Sequence, residues 1–122
     1  MRISLFSFGF KHGHPQADLV WDVRFLPNPY WDAELKPHTG QDPRVACYAL
    51  ENEAGAQFFA LLEPLLAFLV KQYTASGRET LNLAVGCTGG KHRSVAVVER
   101  LQGFLRGLDC EVDFFHRDID KE

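Results

Sequence analysis

Residues 80–94 read TLNLAVGCTGGKHRS, and this stretch is the clearest indication of the fold class. Residues 80–85 are rich in apolar side chains and predict a β-strand that runs directly into a glycine-rich turn at residues 86–90. A helix with one apolar face is predicted to follow over about residues 92–107. A strand, a tight turn and a helix in this order predict a sheet of parallel strands with helical connections.

Three further apolar segments predict the other strands of the sheet, at residues 2–8, 19–25 and 110–115. Asp42-Pro43 is a typical helix start, because Pro is favoured at the first helical position. A long helix is predicted over residues 53–73. The fold class is therefore α/β, with about four mostly parallel strands and helices on the sheet faces.

The predicted helix over residues 53–73 has two notable features. Pro64 lies inside it and is expected to kink the helix or to divide it into two. Its apolar residues recur at helical spacing, which predicts that they face the core of the protein rather than a partner. These residues are Phe58, Phe59, Leu61, Leu62, Leu65, Leu66, Phe68 and Leu69.

The composition is typical of a globular domain. The 122 residues are 46% hydrophobic and 24% charged, which predicts a single domain over residues 1–122 and argues against disorder or a fibrous repeat. The net charge is −3, so the chain as a whole is not a polycation. Binding of phosphate or nucleic acid would therefore depend on local clusters of basic residues.

The sequence also predicts the compartment. Cys47, Cys87 and Cys110 are odd in number and show no CxxC spacing, which fits a reducing cytoplasm and argues against a disulfide framework or a zinc ribbon. Residues 1–8 resemble a strand rather than a signal peptide, and no run of 18 apolar residues is uninterrupted. We expect a cytoplasmic protein with no membrane span, no metal site and no cofactor.

Basic residues follow each predicted strand at the point where it ends. In strand order they are Lys11 and His12, then Arg24, then Lys91, His92 and Arg93, and finally His116 and Arg117. The carboxyl ends of parallel strands share one edge of the sheet, and open α/β sheets bind ligands in the crevice at that edge. The pattern predicts an anion pocket there. The alternative is that these are ordinary polar loops.

The turn at residues 86–90 is the centre of this predicted pocket. Gly89 and Gly90 let the backbone approach a ligand closely, and the start of the following helix directs free N–H groups toward it. Arg93 can hold a phosphate through two parallel hydrogen bonds. The candidate ligand-binding residues are Lys11, His12, Arg24, Asn28, Cys87, Thr88, Gly89, Gly90, Lys91, His92, Arg93, Ser94, His116 and Arg117.

Polar and aromatic residues near the second strand have two interpretations each. Asn28 offers an amide to a sugar hydroxyl or stabilises an Asx turn. Tyr30 and Trp31 offer rings for stacking on a base or a sugar, although aromatic residues beside a proline-rich turn more often cover the core.

The same turn has two possible enzymatic interpretations besides simple binding. A Walker A loop is rejected, because the glycine spacing is one residue too short and His92 stands where Ser or Thr binds magnesium. A cysteine-dependent phosphatase stays as the alternative, with Cys87 as nucleophile and Arg93 as phosphate clamp at C-x5-R spacing. Against it, Gly86 replaces the histidine that usually precedes such a cysteine. We therefore favour a non-catalytic binding domain.

Four motifs together resemble the C-terminal domain of the RapZ family of RNase adapter proteins. They are SFGFKHG at residues 7–13, DVRFLPNP at residues 22–29, GCTGGKHRS at residues 86–94 and HRD at residues 116–118. The resemblance spans nearly the whole chain, with the motifs in order and at similar spacing. It implies a domain that binds small regulatory RNA and glucosamine 6-phosphate and that, in full-length members, presents RNA to an endoribonuclease.

The resemblance also defines what is not carried over to this sequence. Full-length members have an N-terminal P-loop nucleotide-binding domain, whereas this sequence begins at the region that resembles the C-terminal domain, so ATP or GTP binding is not expected. Members of the family assemble, which implies a homo-oligomer as a further partner.

Overall fold

The computed structural model describes residues 1–121 and has a four-stranded sheet at its centre. Its strands are β1 (Arg2–Gly9), β2 (Leu19–Asp22), β3 (Thr80–Cys87) and β4 (Glu111–His116). They lie in the order β2-β3-β1-β4, and every neighbouring pair is parallel. This confirms the predicted α/β fold and brings all four carboxyl ends to one edge.

Two of the three α-helices lie between β2 and β3, and the third joins β3 to β4. They are α1 (Pro43–Leu50), α2 (Glu53–Ala75) and α3 (Arg93–Arg106). The Asp42 side chain caps α1 by accepting a hydrogen bond from the Arg44 amide at 2.9 Å, as Asp before an N-terminal Pro predicts. Asn52 caps α2 in the same way through the Gly55 amide at 2.9 Å.

The second strand ends earlier than predicted. β2 stops at Asp22, whose carboxylate accepts a hydrogen bond from the Arg24 amide at 3.0 Å and turns the chain away from the sheet. The Val23 amide still bonds to the Gly86 carbonyl at 2.9 Å, after which a turn closes between Val23 and Leu26. Apolar composition alone extended the prediction to residue 25.

The two faces of the sheet are covered differently. Alternate residues such as Ile3, Leu5 and Leu83 share one buried cluster with apolar side chains from all three helices. The opposite face carries Phe6 and Phe8 in a smaller cluster, covered in part by side chains of the connection between β1 and β2. The helices therefore form one layer, and only a short loop crosses the other face.

The long helix α2 differs from its prediction in two respects. It continues through Pro64 without interruption, because that residue is exposed and the carbonyl it leaves unbonded belongs to Ala60, which is exposed as well. Its apolar residues do not all face the core: Phe59, Leu62 and Leu66 are buried, whereas others in the predicted stripe are exposed. The exposed residues are Leu61, Leu65 and Phe68.

By length and composition alone, α2 would be able to span a membrane. Its 23 residues include an 18-residue window with a mean hydropathy of 1.5, although the sequence prediction excluded a membrane span because no apolar run was uninterrupted. Only 28% of that window is buried in the protein. The buried side accounts for part of the hydropathy, since Phe59 and Leu66 belong to the main core.

Candidate functional site

A cavity of about 580 Å³ opens at the carboxyl edge of the sheet, next to the turn that follows β3. It is lined by Lys11, Asn28, Tyr30, Trp31, Lys36, Cys87, Thr88, Gly89, Lys91, His92, Arg93 and Lys121. Eight of these twelve residues belong to the set predicted from the sequence, namely Lys11, Asn28, Cys87, Thr88, Gly89, Lys91, His92 and Arg93.

Close backbone contact between two loops forms one side of this site. A Cβ atom on Gly9 would lie 2.5 Å from the carbonyl carbon of Gly89, so only glycine fits at the end of β1. Gly90 has a φ of +77° and also approaches the Gly9 amide. The Lys11 amide donates to the Thr88 carbonyl at 3.1 Å. The glycines therefore hold the loop after β1 against the turn after β3.

The charged side chains that line the cavity are all basic. Among residues 1–121, no Asp or Glu contributes to the lining. The ion pairs found in that part of the chain do not include Lys11, Lys36 or Lys91. Cations without acidic neighbours create a positive local potential in a chain whose net charge is −3. The site is therefore suited to an anion.

Arg93 lies in the wall of the cavity, and its guanidinium is directed mainly at main-chain atoms. Nη1 donates to the carbonyl of Arg24 at 2.6 Å and to that of Leu26 at 3.3 Å, and Nη2 is 3.4 Å from Thr88 Oγ1. The side chain is buried, and its Nε atom has no hydrogen-bond partner among the described residues. Arg93 thus fastens the loop after β2 to the start of α3.

His92, at the N-terminal boundary of α3, fastens a second loop to the site. Its Nε2 donates to the Lys36 carbonyl at 3.0 Å, and the Gly40 amide donates to the Lys91 carbonyl at 2.9 Å. Burial lowers the pKa of His92 below its ordinary value, against the smaller opposite effect of the bond to the Lys36 carbonyl. These contacts hold Lys36 at the cavity, while burial of the ring favours the neutral form of His92.

Asp118 is fully buried, and its hydrogen bonds hold together the opposite side of the site. Its carboxylate accepts hydrogen bonds from the Gly9 amide at 2.7 Å and from Arg117, and it pairs with Lys121 at 2.7 Å. Burial alone would raise the pKa of Asp118, but the bonds from Arg117, Gly9 and Lys121 together lower it well below its usual range. The ionised carboxylate therefore joins the segment after β4 to β1.

Six residues predicted for the pocket do not line the cavity. They are His12, Arg24, Gly90, Ser94, His116 and Arg117. In two cases a neighbouring carboxylate holds the guanidinium elsewhere: Arg24 pairs with Asp22 at 2.7 Å, and Arg117 pairs with Asp118 at 2.8 Å. The Arg24 guanidinium also lies 4.2 Å above the Phe10 ring.

The other residues outside the lining have structural contacts of their own. His116 lies between two partners, with Nδ1 2.7 Å from Ser7 Oγ and Nε2 2.9 Å from a Glu99 carboxylate oxygen. Ser94 is fully buried, with its Oγ 3.1 Å from Cys87 Sγ. Gly90 approaches Gly9 and Asp118 rather than the open cavity, and His12 has a buried Nε2 atom without a partner among the described residues.

Four lining residues were absent from the predicted set: Tyr30, Trp31, Lys36 and Lys121. The sequence favours a position over the core for the two aromatic rings, but Trp31 is 78% exposed and Tyr30 is 46% exposed. Lys36 Nζ lies 4.2 Å from the centre of the Tyr30 ring. Proximity in sequence to the turn at Pro27-Asn28-Pro29 was the available signal for the rings, whereas no local pattern pointed to Lys36.

The geometry does not favour Cys87 as a phosphatase nucleophile. Such an enzyme needs the thiolate and the arginine to face the same phosphate. Cys87 is 2% exposed and its Sγ contacts Ser94, while Arg93 Nη1 is bound to two carbonyl oxygens. Thiol and guanidinium line the same cavity, but their strongest contacts are with the protein. This arrangement favours a binding role.

Comparisons with known proteins agree on one family. A family model described as RapZ C-terminal domain matches residues 1–120. Proteins named nucleotide-binding protein are similar to the chain: 49% identical over 121 residues in Oleidesulfovibrio alaskensis, 50% over 121 in Myxococcus xanthus and 47% over 123 in Caldicellulosiruptor bescii. The matches cover 98%, 98% and 100% of this chain but only 41%, 42% and 42% of those relatives.

Proposed function

The chain belongs to the RapZ C-terminal domain family, and we propose that its cavity binds a phosphorylated small molecule of the amino-sugar phosphate class. Glucosamine 6-phosphate is the compound that the family resemblance implies. The observation that carries the proposal is the set of lysines and one arginine around the cavity, with no acidic residue of the described chain among its lining residues. A ligand with two negative charges is the natural complement of such a set.

The dimensions support a small molecule. Pockets for small ligands typically measure roughly 300–1,000 Å³, and this cavity measures about 580 Å³. A phosphate near Lys11 and Lys91 would lie beside Gly89, whose backbone leaves room for close approach. We therefore assign the phosphate group to the turn after β3.

The remaining lining residues suit the sugar. Tyr30 and Trp31 supply exposed aromatic surface on which a sugar ring can pack, and aromatic faces also attract an ammonium group. Asn28 accepts a hydrogen bond from the Tyr30 amide at 3.1 Å through Oδ1, so its Nδ2 group is oriented as a donor for a hydroxyl. These side chains lie on the same cavity as the lysines.

Binding of small RNA, presentation of RNA to an endoribonuclease and homo-oligomer assembly stay predictions of the family resemblance, and a cytoplasmic location stays a prediction from the cysteine usage. An RNA backbone would engage the same lysines, and Trp31 would be available for stacking on a base. The nucleotide-binding names belong to relatives of which this chain spans about two fifths. For this chain we propose phosphate recognition without a P-loop.

Calorimetric titration tests the proposal with three probes: glucosamine 6-phosphate, glucosamine and inorganic phosphate. We expect saturable binding of the sugar phosphate and much weaker binding of either part alone, because the lysines and the aromatic surface act on different groups of the ligand. Equal affinity for inorganic phosphate would reduce the site to a generic anion loop. No heat with any probe would overturn the proposal. An affinity for RNA that falls steeply with salt concentration would instead favour the phosphate backbone of RNA as the ligand.

A further inference from the structure

Asp118 packs against the turn that follows β3 without lining the cavity itself. Its side chain is fully buried and lies outside the cavity lining. A Cβ atom on Gly90 would lie 2.9 Å from the Asp118 Cβ and 2.6 Å from the Gly9 nitrogen, so these three residues are in close contact. The absence of a side chain at Gly90 therefore leaves room for Asp118 beside the turn.

Both oxygens of the Asp118 carboxylate accept hydrogen bonds. Oδ2 accepts from the Gly9 amide at 2.7 Å and from Arg117 Nη2 at 2.8 Å. Oδ1 accepts from Arg117 Nε at 3.0 Å and pairs with Lys121 Nζ at 2.7 Å. Arg117 Nη2 also donates to the Gly13 carbonyl at 2.7 Å. One buried carboxylate thus joins the end of β1, the loop after it and the segment after β4.

Gly9 connects this carboxylate to the turn after β3. A Cβ atom on Gly9 would lie 2.5 Å from the carbonyl carbon of Gly89, which shows how closely the two backbones pack. Two residues further along, the Lys11 amide donates to the Thr88 carbonyl at 3.1 Å. The position of the turn therefore depends on where Gly9 is held, and the hydrogen bond to Asp118 holds it.

Three successive amides of the turn remain free to bind an anion. The amides of Gly89, Gly90 and Lys91 have no hydrogen-bond acceptor among residues 1–121, and Gly90 has a φ of +77°. Successive free amides in a turn of this kind form a concave arrangement that binds anions. Binding is stronger when the amides are already fixed, because ordering them on binding costs conformational entropy.

We propose that Asp118 is a positioning residue of the phosphate site and holds the amides of residues 89–91 in the arrangement that the phosphate of the ligand requires. Asp118 does not contact the ligand and acts through Gly9 and Gly90. The inference rests on the proposed function and adds to it the residue that orders the site before the ligand arrives.

The charge of Asp118 and its positioning role predict opposite effects on anion binding. A carboxylate close to the site repels a phosphate, so removal of its charge alone strengthens binding. Loss of its hydrogen bonds weakens binding, because the turn is then no longer fixed in advance. Asp118→Asn removes the charge and also disrupts the contacts, since its NH2 group faces a donor whichever way the amide is turned. The sign of the change in affinity therefore separates the two effects.

Calorimetric titration with glucosamine 6-phosphate tests the proposal on the whole chain, well below the unfolding temperature of each variant. We expect Asp118→Asn to bind about tenfold more weakly than the parent, although it has lost a negative charge. Asp113→Asn is the matched control: it removes an exposed carboxylate on β4. We expect its affinity to stay within about twofold of the parent.

A second measurement needs no ligand. In the ligand-free parent we expect the amides of residues 89–91 to have 15N order parameters near the rigid value of about 0.85. These order parameters fall in Asp118→Asn and stay at the parent value in Asp113→Asn. The measurement on the parent applies even if Asp118→Asn does not fold, and flexible amides in the parent would overturn the proposal.

The remaining outcomes separate this inference from the proposed function. Binding by a folded Asp118→Asn that equals or exceeds that of the parent would overturn the positioning role and leave the proposed function intact. Rigid amides at residues 89–91 in Asp118→Asn would do the same. A parent that does not bind glucosamine 6-phosphate would overturn the proposed function and, with it, the role of Asp118 in phosphate binding.

Discussion

Arg93 Nη1 lies 2.6 Å from the carbonyl oxygen of Arg24, which joins the start of α3 to the loop after β2 across one side of the cavity. The arginine that the C-x5-R spacing suggested as a phosphate clamp therefore also supports the wall of the site. Its charge still contributes to the potential in the cavity, but its best hydrogen bonds are already made with the protein. Fold and anion site depend on the same side chain.

Replacement of Arg93 by Ala is expected to lower the free energy of unfolding by about 2–3 kcal/mol, because two buried carbonyls lose a charged donor. Arg93→Lys keeps the charge but cannot reach both carbonyls with a planar fork, so it recovers only part of the loss. Urea unfolding of the three proteins measures the difference. An Arg93→Ala protein as stable as the parent would show that these hydrogen bonds contribute little.

Gly9→Ala is expected to destabilise the protein by about 1–3 kcal/mol, since the added methyl would lie 2.5 Å from the Gly89 carbonyl carbon. Gly103→Ala is the matched control, because nothing lies within 4 Å of its Cβ position in α3. In a helix interior that change stabilises by about 0.5–1 kcal/mol. Thermal unfolding of the two variants measures these changes in stability. A Gly9→Ala variant that is no less stable than Gly103→Ala would contradict the close packing at Gly9.

Asp118 gives the fold a dependence on acid. Its pKa in the folded protein is lowered, so the ionised form is favoured on folding, and its contribution is present at neutral pH and lost as the pH falls below the ordinary Asp range near 4. Asp118→Asn is expected to cost about 1–3 kcal/mol at pH 7 and less at pH 3, where part of the contribution of the ionised carboxylate has been lost. Urea unfolding at both pH values measures this. A cost independent of pH would contradict an ionised Asp118.

His92 gives a second pH dependence with the same sign. Burial lowers its pKa, so folding favours the neutral ring, and stability falls as the pH drops through the ordinary His value near 6.5. His92→Gln keeps a donor for the Lys36 carbonyl but has no proton to gain. The stability of the parent relative to the variant is therefore expected to be lower at pH 5.5 than at pH 7.5. An equal difference in stability at both pH values would show that His92 does not contribute to the pH dependence of folding.

The fold was predictable because its elements carry simple periodicity. The strand, turn and helix at residues 80–94 follow from alternating apolar residues and glycines, and the alternation of strands and helices predicts mostly parallel pairing, which in the structure holds for every neighbouring pair. The exposed side of α2 was not predictable, since helical spacing assigns apolar residues to a helix without saying how many sides of it are covered. Leu61 and Leu62 look alike in sequence and differ completely in exposure.

The sequence predicted the lining residues that the backbone places at the cavity. It did not predict which side chains are held elsewhere by hydrogen bonds and ion pairs. Gly89 and Lys91 follow β3 directly and lie at the cavity as expected. Arg24 and Arg117 were placed there as well, but each has a carboxylate within two residues that holds its guanidinium away. Lys36 reaches the cavity from an irregular segment held by His92, a contact with no signature in the local sequence.

We propose that the unpaired lysines of the cavity bind the phosphate of a small ligand. Calorimetric titration of a Lys11→Ala/Lys91→Ala double variant with glucosamine 6-phosphate tests it most directly, with Lys71→Ala, an exposed lysine on α2, as the control. We expect the double variant to lose affinity by about a hundredfold, as removal of two charge-assisted hydrogen bonds implies, and the control to match the parent. Unchanged affinity in a folded double variant would contradict the proposed site.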